Sequence, residues 1–257
     1  MDIGTSVAVR FLRDYQGFGS RGHLLAASSL SDSIASTQDE DARKLLAVKV
    51  FAELMAALEN LGALCIAVRH RDEGVGLVYS FLTYGSRTKL APPTTVRAMY
   101  DLVREGDGLT KGLRLPSLAD IIAAHKEFAD STLPTMYNEA NVLLSQAANV
   151  YLVDERALVR AYNKTKHGFV VVNDHHLFQP DPPSVDPGTA WIAANNPSYD
   201  PQSPELAPVV ELFEVRLADV HLTMERLPSI RGAIRVIAEL TAELLELGII
   251  TSADSQA

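Results

Sequence analysis

The spacing of the apolar residues near the C-terminus constrains this chain most. Leu206, Val209, Val210, Phe213, Leu217, Val220 and Met224 recur at steps of three and four, as do Ile230, Ile234, Ile237, Leu240, Leu244 and Leu247. A helix turns by about 100° per residue, so each series lies along one side and must be buried against a neighbour. The steps predict two packed C-terminal helices over 205–250.

The rest of the chain reads in the same way. Asp41 to about Arg71 is expected to form one long helix, or two with a break at Gly62, starting among the capping candidates Ser36, Thr37 and Asp39. The run VGLVYSFLTYG fits a helix or a strand equally well. Pro92 and Pro93 followed by Thr94 and Thr95 announce a helix through Glu105, and Ser117 with Asp120 opens another at LADIIAAHKEFAD. Two more are expected over Thr135–Leu152 and Asp154–His167. From Phe178 to Pro208 the chain holds most of its prolines, which lack a backbone donor and resist helix, so 178–208 is expected to be a long loop carrying the only tryptophan, Trp191. The expected fold class is all-α: a helix bundle with a long proline-rich loop, one short strand at Phe169–Val172, and a single domain over 1–257.

With 257 residues, 47% of them hydrophobic, there is enough apolar material for a substantial core. No apolar run approaches the roughly 18 residues that cross a bilayer, and the first residues carry charge where a secretory signal would be apolar, so a cytoplasmic protein with no membrane partner is expected. The lone Cys65 sits in an apolar run and is expected to be buried filler. A net charge of −9 repels nucleic acid, so phosphate would have to be held by a local basic cluster, and no DNA partner is expected.

Two patterns carry little. Gly17, Gly19 and Gly22 in GFGSRG have dinucleotide-loop spacing, but the residues about 20 positions further on read as no strand ending in an acid. His70, His125, His167, His175, His176 and His221 are scattered, without the paired Glu-x-x-His of a helical metal site; His221 and Glu225 share a face but lack a partner helix. No metal and no cofactor are expected.

The stretch RAYNKTKHGF, 160–169, is more informative. Arg156, Arg160, Asn163 and His167 are spaced by 4, 3 and 4, which places them within roughly 60° on a helix, with Lys164 and Lys166 flanking. Leu158, Ala161, Tyr162 and Thr165 take the other side. Helix termination accounts for Lys166, His167 and Gly168, since cations favour the carbonyl end and glycine the position after it. It does not account for the two arginines one and two turns back.

An arginine followed at a short interval by a histidine, near a helix end in an all-α bundle, resembles the signature of the HEPN superfamily, here Arg160 and His167 separated by AYNKTK. The resemblance covers about 41–167. It implies a metal-independent endoribonuclease of a bacterial toxin or antiphage system, working as a homodimer on RNA, although other members are noncatalytic. The family usually has a polar residue after the arginine where this chain has Ala161, a departure that bears on catalysis more than on the fold. In such a site His167 would take the ribose 2′-hydroxyl proton, Arg160 would clamp the phosphate, Asn163 would orient the imidazole, and Arg156, Lys164 and Lys166 would bind phosphate. The apolar ends of the last helix would serve dimerisation. The residues leave two alternatives open: a noncatalytic helical interaction protein, and a binder of a small anionic ligand using the same stripe.

Overall fold

The computed structural model describes residues 3–74, 76–83, 92–154, 162, 171–172, 188–195, 202 and 210–254. In chain order these form α1 (Ile3–Gly17), α2 (Gly22–Ser36), α3 (Glu40–Arg69), α4 (Gly76–Thr83), α5 (Val96–Arg104), a π-helical turn (Gly108–Gly112), α6 (Leu118–Ala124), α7 (Leu133–Asn149), β1 (Val171–Val172), β2 (Thr189–Asn195), β3 (Val210–Arg216) and α8 (Val220–Glu246). The class is all-α, with one small antiparallel sheet of order β1-β2-β3.

The chain divides into two compact units. One comprises Met1–Gly22, Ala57–Asp154 and Pro228–Ala257, the other His23–Ala56 and Glu155–Leu227. The long helices α3 and α8 are divided between them, α3 after Ala56 and α8 before Pro228.

The first unit is helical and is built around the second half of α3. Leu58, Leu61 and the run Ala63–Val68 are sealed from solvent. Gly62 does not break the helix. It leaves room for α5, because a Cβ there would lie 2.5 Å from a Val96 methyl. Cys65 is buried as expected, and burial pushes its thiol far above the usual range. Ile230, Ile234, Ile237, Leu240 and Leu244 line the buried side of α8, whose other side pairs Glu243 and Glu246 with Arg13 of α1 at 3.1 and 2.8 Å. The apolar end assigned to dimerisation is therefore largely used within the chain: Leu244, Leu245 and Ile250 are buried, and Leu247 is 40% exposed.

The capping signals hold. Asp39 accepts from the amides of Asp41 and Ala42, Thr95 from Ala98, and Ser117 from Asp120. The ambiguous VGLVYSFLTYG run is helical over Gly76–Thr83. The helix expected from Ser117 ends earlier than LADIIAAHKEFAD suggests: α6 stops at Ala124, and a 3₁₀ segment covers Lys126–Asp130. The GFGSRG segment joins α1 to α2 through a 3₁₀ turn, with a helix where a nucleotide loop would need a strand.

In the second unit the helix expected from Leu206 to Met224 is overturned. Val210–Arg216 is strand β3, a 3₁₀ turn covers Leu217–Asp219, and helix starts only at Val220. The alternation explains this: Phe213 and Val215 are buried while Glu214 and Arg216 are exposed, a period of two. Its partner β2 runs from Thr189 to Asn195 inside the stretch expected to be loop, paired antiparallel with Trp191 opposite Glu214 and Ile192 opposite Phe213. Trp191 is 8% exposed. β1 falls within the strand expected at 169–172 and pairs Val172 with Trp191.

The apolar, 30-residue α3 is long enough to cross a membrane by length and composition, with a mean hydropathy of 1.6 over its most apolar 18 residues. This corrects the expectation that nothing approaches that length. Of that window, 72% is buried inside the protein, as in a core helix.

Candidate functional site

The six residues assigned to the site from sequence, Arg156, Arg160, Asn163, Lys164, Lys166 and His167, lie outside the described residues. One residue inside the motif is described. Tyr162 is helical and 8% exposed, and the wheel puts it on the side away from Arg160, Asn163 and His167.

Among the described residues, a dense polar construction lies in the helical unit, where α3 gives way at Arg69 to the turn RHRDE, 69–73. Its counterpart is the segment GDGLTKGLRLP, 106–116. Asp107 starts the π-helical turn there by accepting from the amides of Leu109 and Thr110, both at 3.1 Å, and from the Thr110 hydroxyl at 2.8 Å. Burial works against the Asp107 carboxylate, but these bonds hold its pKa below the usual value. Gly108 and Gly112 fit against Val103, where a Cβ would come within 3.1 and 3.2 Å of its methyls.

A helical turn ends with carbonyls that have no partner within the turn. Here two arginines satisfy four of them in succession. Arg69 Nη1 donates to the carbonyls of Lys111 at 2.8 Å and Gly112 at 2.7 Å. Arg71 Nη1 donates to Leu113 at 3.1 Å and to Val68 at 2.8 Å, and its Nη2 donates to Arg114 at 2.8 Å. Arg71 is only 6% exposed, and burial pulls its pKa below the usual guanidinium value. Arg69 is lowered by burial and then by the neighbouring charge of Arg114.

Arg114 follows with φ of +54°, left-handed backbone that a non-glycine residue adopts at a cost of about 1 kcal/mol or more. This bend sends its side chain back to Glu73, with Nη1 3.1 Å from Oε1. The same Oε1 lies 2.8 Å from Nδ1 of His70, which is sealed from solvent and has Nε2 3.3 Å from the Pro93 carbonyl. Burial would raise the Glu73 pKa, yet His70 and Arg114 together hold it below the ordinary carboxylate value. Sequence reasoning missed this cluster. The available signal was a basic pair, Arg69 at the end of a helix otherwise apolar over its last two turns and Arg71 just beyond it.

No three His, Cys, Asp or Glu side chains converge as metal ligands among the described residues. His221 places Nδ1 2.5 Å from the Ala218 carbonyl of the preceding turn. Comparison with known proteins gives no match to a family model, to a curated protein or to a solved structure.

Proposed function

We propose that this chain is a HEPN-like helical protein that cleaves single-stranded RNA without a metal, through the basic helix end from Arg156 to His167. His167 acts as the base toward the ribose 2′-hydroxyl and Arg160 clamps the phosphate. Asn163 orients the imidazole, and Arg156, Lys164 and Lys166 supply local positive charge against the net charge of −9. Two copies of the chain would bring two such motifs to one RNA in the cytoplasm.

The all-α class is compatible with this reading, and one residue carries it. Tyr162 is helical and buried, which is the arrangement required if that helix spends its apolar side on the protein and leaves the Arg160–His167 side for a ligand.

Purified full-length protein, incubated with single-stranded RNA in the presence of EDTA, is expected to cleave it. His167→Ala is expected to lower the rate by about 10²–10⁴-fold, the loss typical of a positioned general base. RNA left intact by the folded wild type rejects the catalytic reading. Retention of RNA without cleavage, lost on Arg160→Ala, would place the chain among the noncatalytic binders.

A further inference from the structure

The helical unit holds an open cleft of about 460 Å³ beside the arginine-bound turn. Its polar lining is Arg71, Arg114 and two threonines, and its walls include Leu115, Pro116 and Ile250. None of its described lining residues is a carboxylate, although acids outnumber bases by 32 to 23 in the chain. Two guanidiniums with no acid among the described lining residues stand out electrostatically in so acidic a protein.

Both arginines have donors to spare. A guanidinium carries five N–H groups. Arg71 gives three to carbonyls, and no carboxylate pairs with it among the described residues. Its Nε is buried without an acceptor. The charge of Arg71 is thus held nine-tenths buried at the cleft with only carbonyls and the adjoining, exposed Asp72 to offset it. Arg114 is 44% exposed and gives one bond, to Glu73, which lies outside the lining. The Thr110 hydroxyl already donates to Asp107, so an incoming ligand would be recognised by the arginines.

We infer that this cleft binds a small oxyanion carried on a short apolar body, its head held by Arg71 and Arg114 and its body lying along Leu115, Pro116 and Ile250. Guanidinium forks match the geometry of carboxylate and phosphate alike. Apolar walls add burial of the body, which a bare inorganic ion cannot use. The left-handed backbone at Arg114 fits this role, since strained residues persist where the surrounding structure needs a side chain in one place. The site is independent of the Arg160–His167 motif, so either can fail without the other.

The test uses the full chain and four probes: acetate, hexanoate, inorganic phosphate and hexyl phosphate. Binding is read by calorimetry and by the amide signals of Thr110 and Ile250. The six-carbon probes are expected to bind more tightly than their bare head groups, and comparison of hexanoate with hexyl phosphate assigns the head. Arg114→Gly removes the guanidinium while relieving the positive φ, so it should fold as well as wild type and lose about tenfold in affinity. Arg114→Lys, which keeps the charge and loses the fork, should fall between. The inference is overturned if no probe shifts those signals, if the six-carbon probes bind no better than the bare ions, or if Arg114→Gly binds like wild type.

Discussion

The two compact units hold themselves together by different means. In the helical unit the key connections end helical segments: Asp107, Thr95 and Ser117 at starts, Arg69 and Arg71 at a finish. The sheet of the other unit depends on ladder bonds between segments far apart in sequence, with β2 and β3 joined through 196–209. Caps and apolar periodicity are written locally, whereas a strand needs a partner that its own residues do not name. A region of the first kind is therefore open to single-residue tests, and one of the second kind is tested best across its pairs.

The largest effect is expected at Arg71. Arg71→Leu leaves the carbonyls of Val68, Leu113 and Arg114 without their donor in a buried setting, and should cost about 3 kcal/mol or more, read from denaturant unfolding by far-ultraviolet circular dichroism. In the sheet unit, Ile192→Ala at a fully buried position of β2 should cost about 2–4 kcal/mol. The only tryptophan, Trp191, lies beside it, so its fluorescence follows that unit specifically. An Arg71→Leu loss under about 1 kcal/mol would break the comparison.

Next comes Gly62→Val, which drives a side chain into Val96 and should cost about 1–3 kcal/mol, with Val96→Ala restoring part of the loss. Acid gives a smaller effect. Glu73 is held below its ordinary pKa, so the stability it contributes is present above the unfolded value, near 4.3, and fades as pH falls through the lower folded value. Glu73→Gln should accordingly lower stability by a roughly constant amount above about pH 4.3 and flatten the acid limb below it, where the difference from wild type fades. The smallest expected change is Asp254→Ala, about 1 kcal/mol, from loss of a helix cap.

Much of the helical unit was legible because its signals lie within a few residues. Thr95 precedes its helix, Ser117 precedes Asp120, and Ile230 to Leu244 repeat at helical steps. The failure at β3 has a specific source. Val209, Val210, Phe213 and Leu217 satisfy helical steps, while Phe213 and Val215 also alternate with Glu214 and Arg216, and only pairing with β2 chooses between the two periods. Proline density hid β2 itself, since Thr189–Asn195 is a proline-free island in a proline-rich stretch. Arg71 and Arg114 were invisible as a pair: 43 positions separate them, and nothing in either local sequence says that one will hold the other's carbonyl.

The first turn of α4 bears on how the chain matures. Gly76 has φ of +72°, and a side chain there would strike Asp254, whose carboxylate accepts from the amides of Leu77 at 3.0 Å and Val78 at 3.1 Å. Ala253 and Ser252 in turn donate to the carbonyl of Arg71. A ribosome makes residue 77 long before it makes residue 254, so a nascent α4 waits with bare amides through the synthesis of 177 positions. Completion of this corner of the protein is thereby timed to the arrival of Ser252, Ala253 and Asp254.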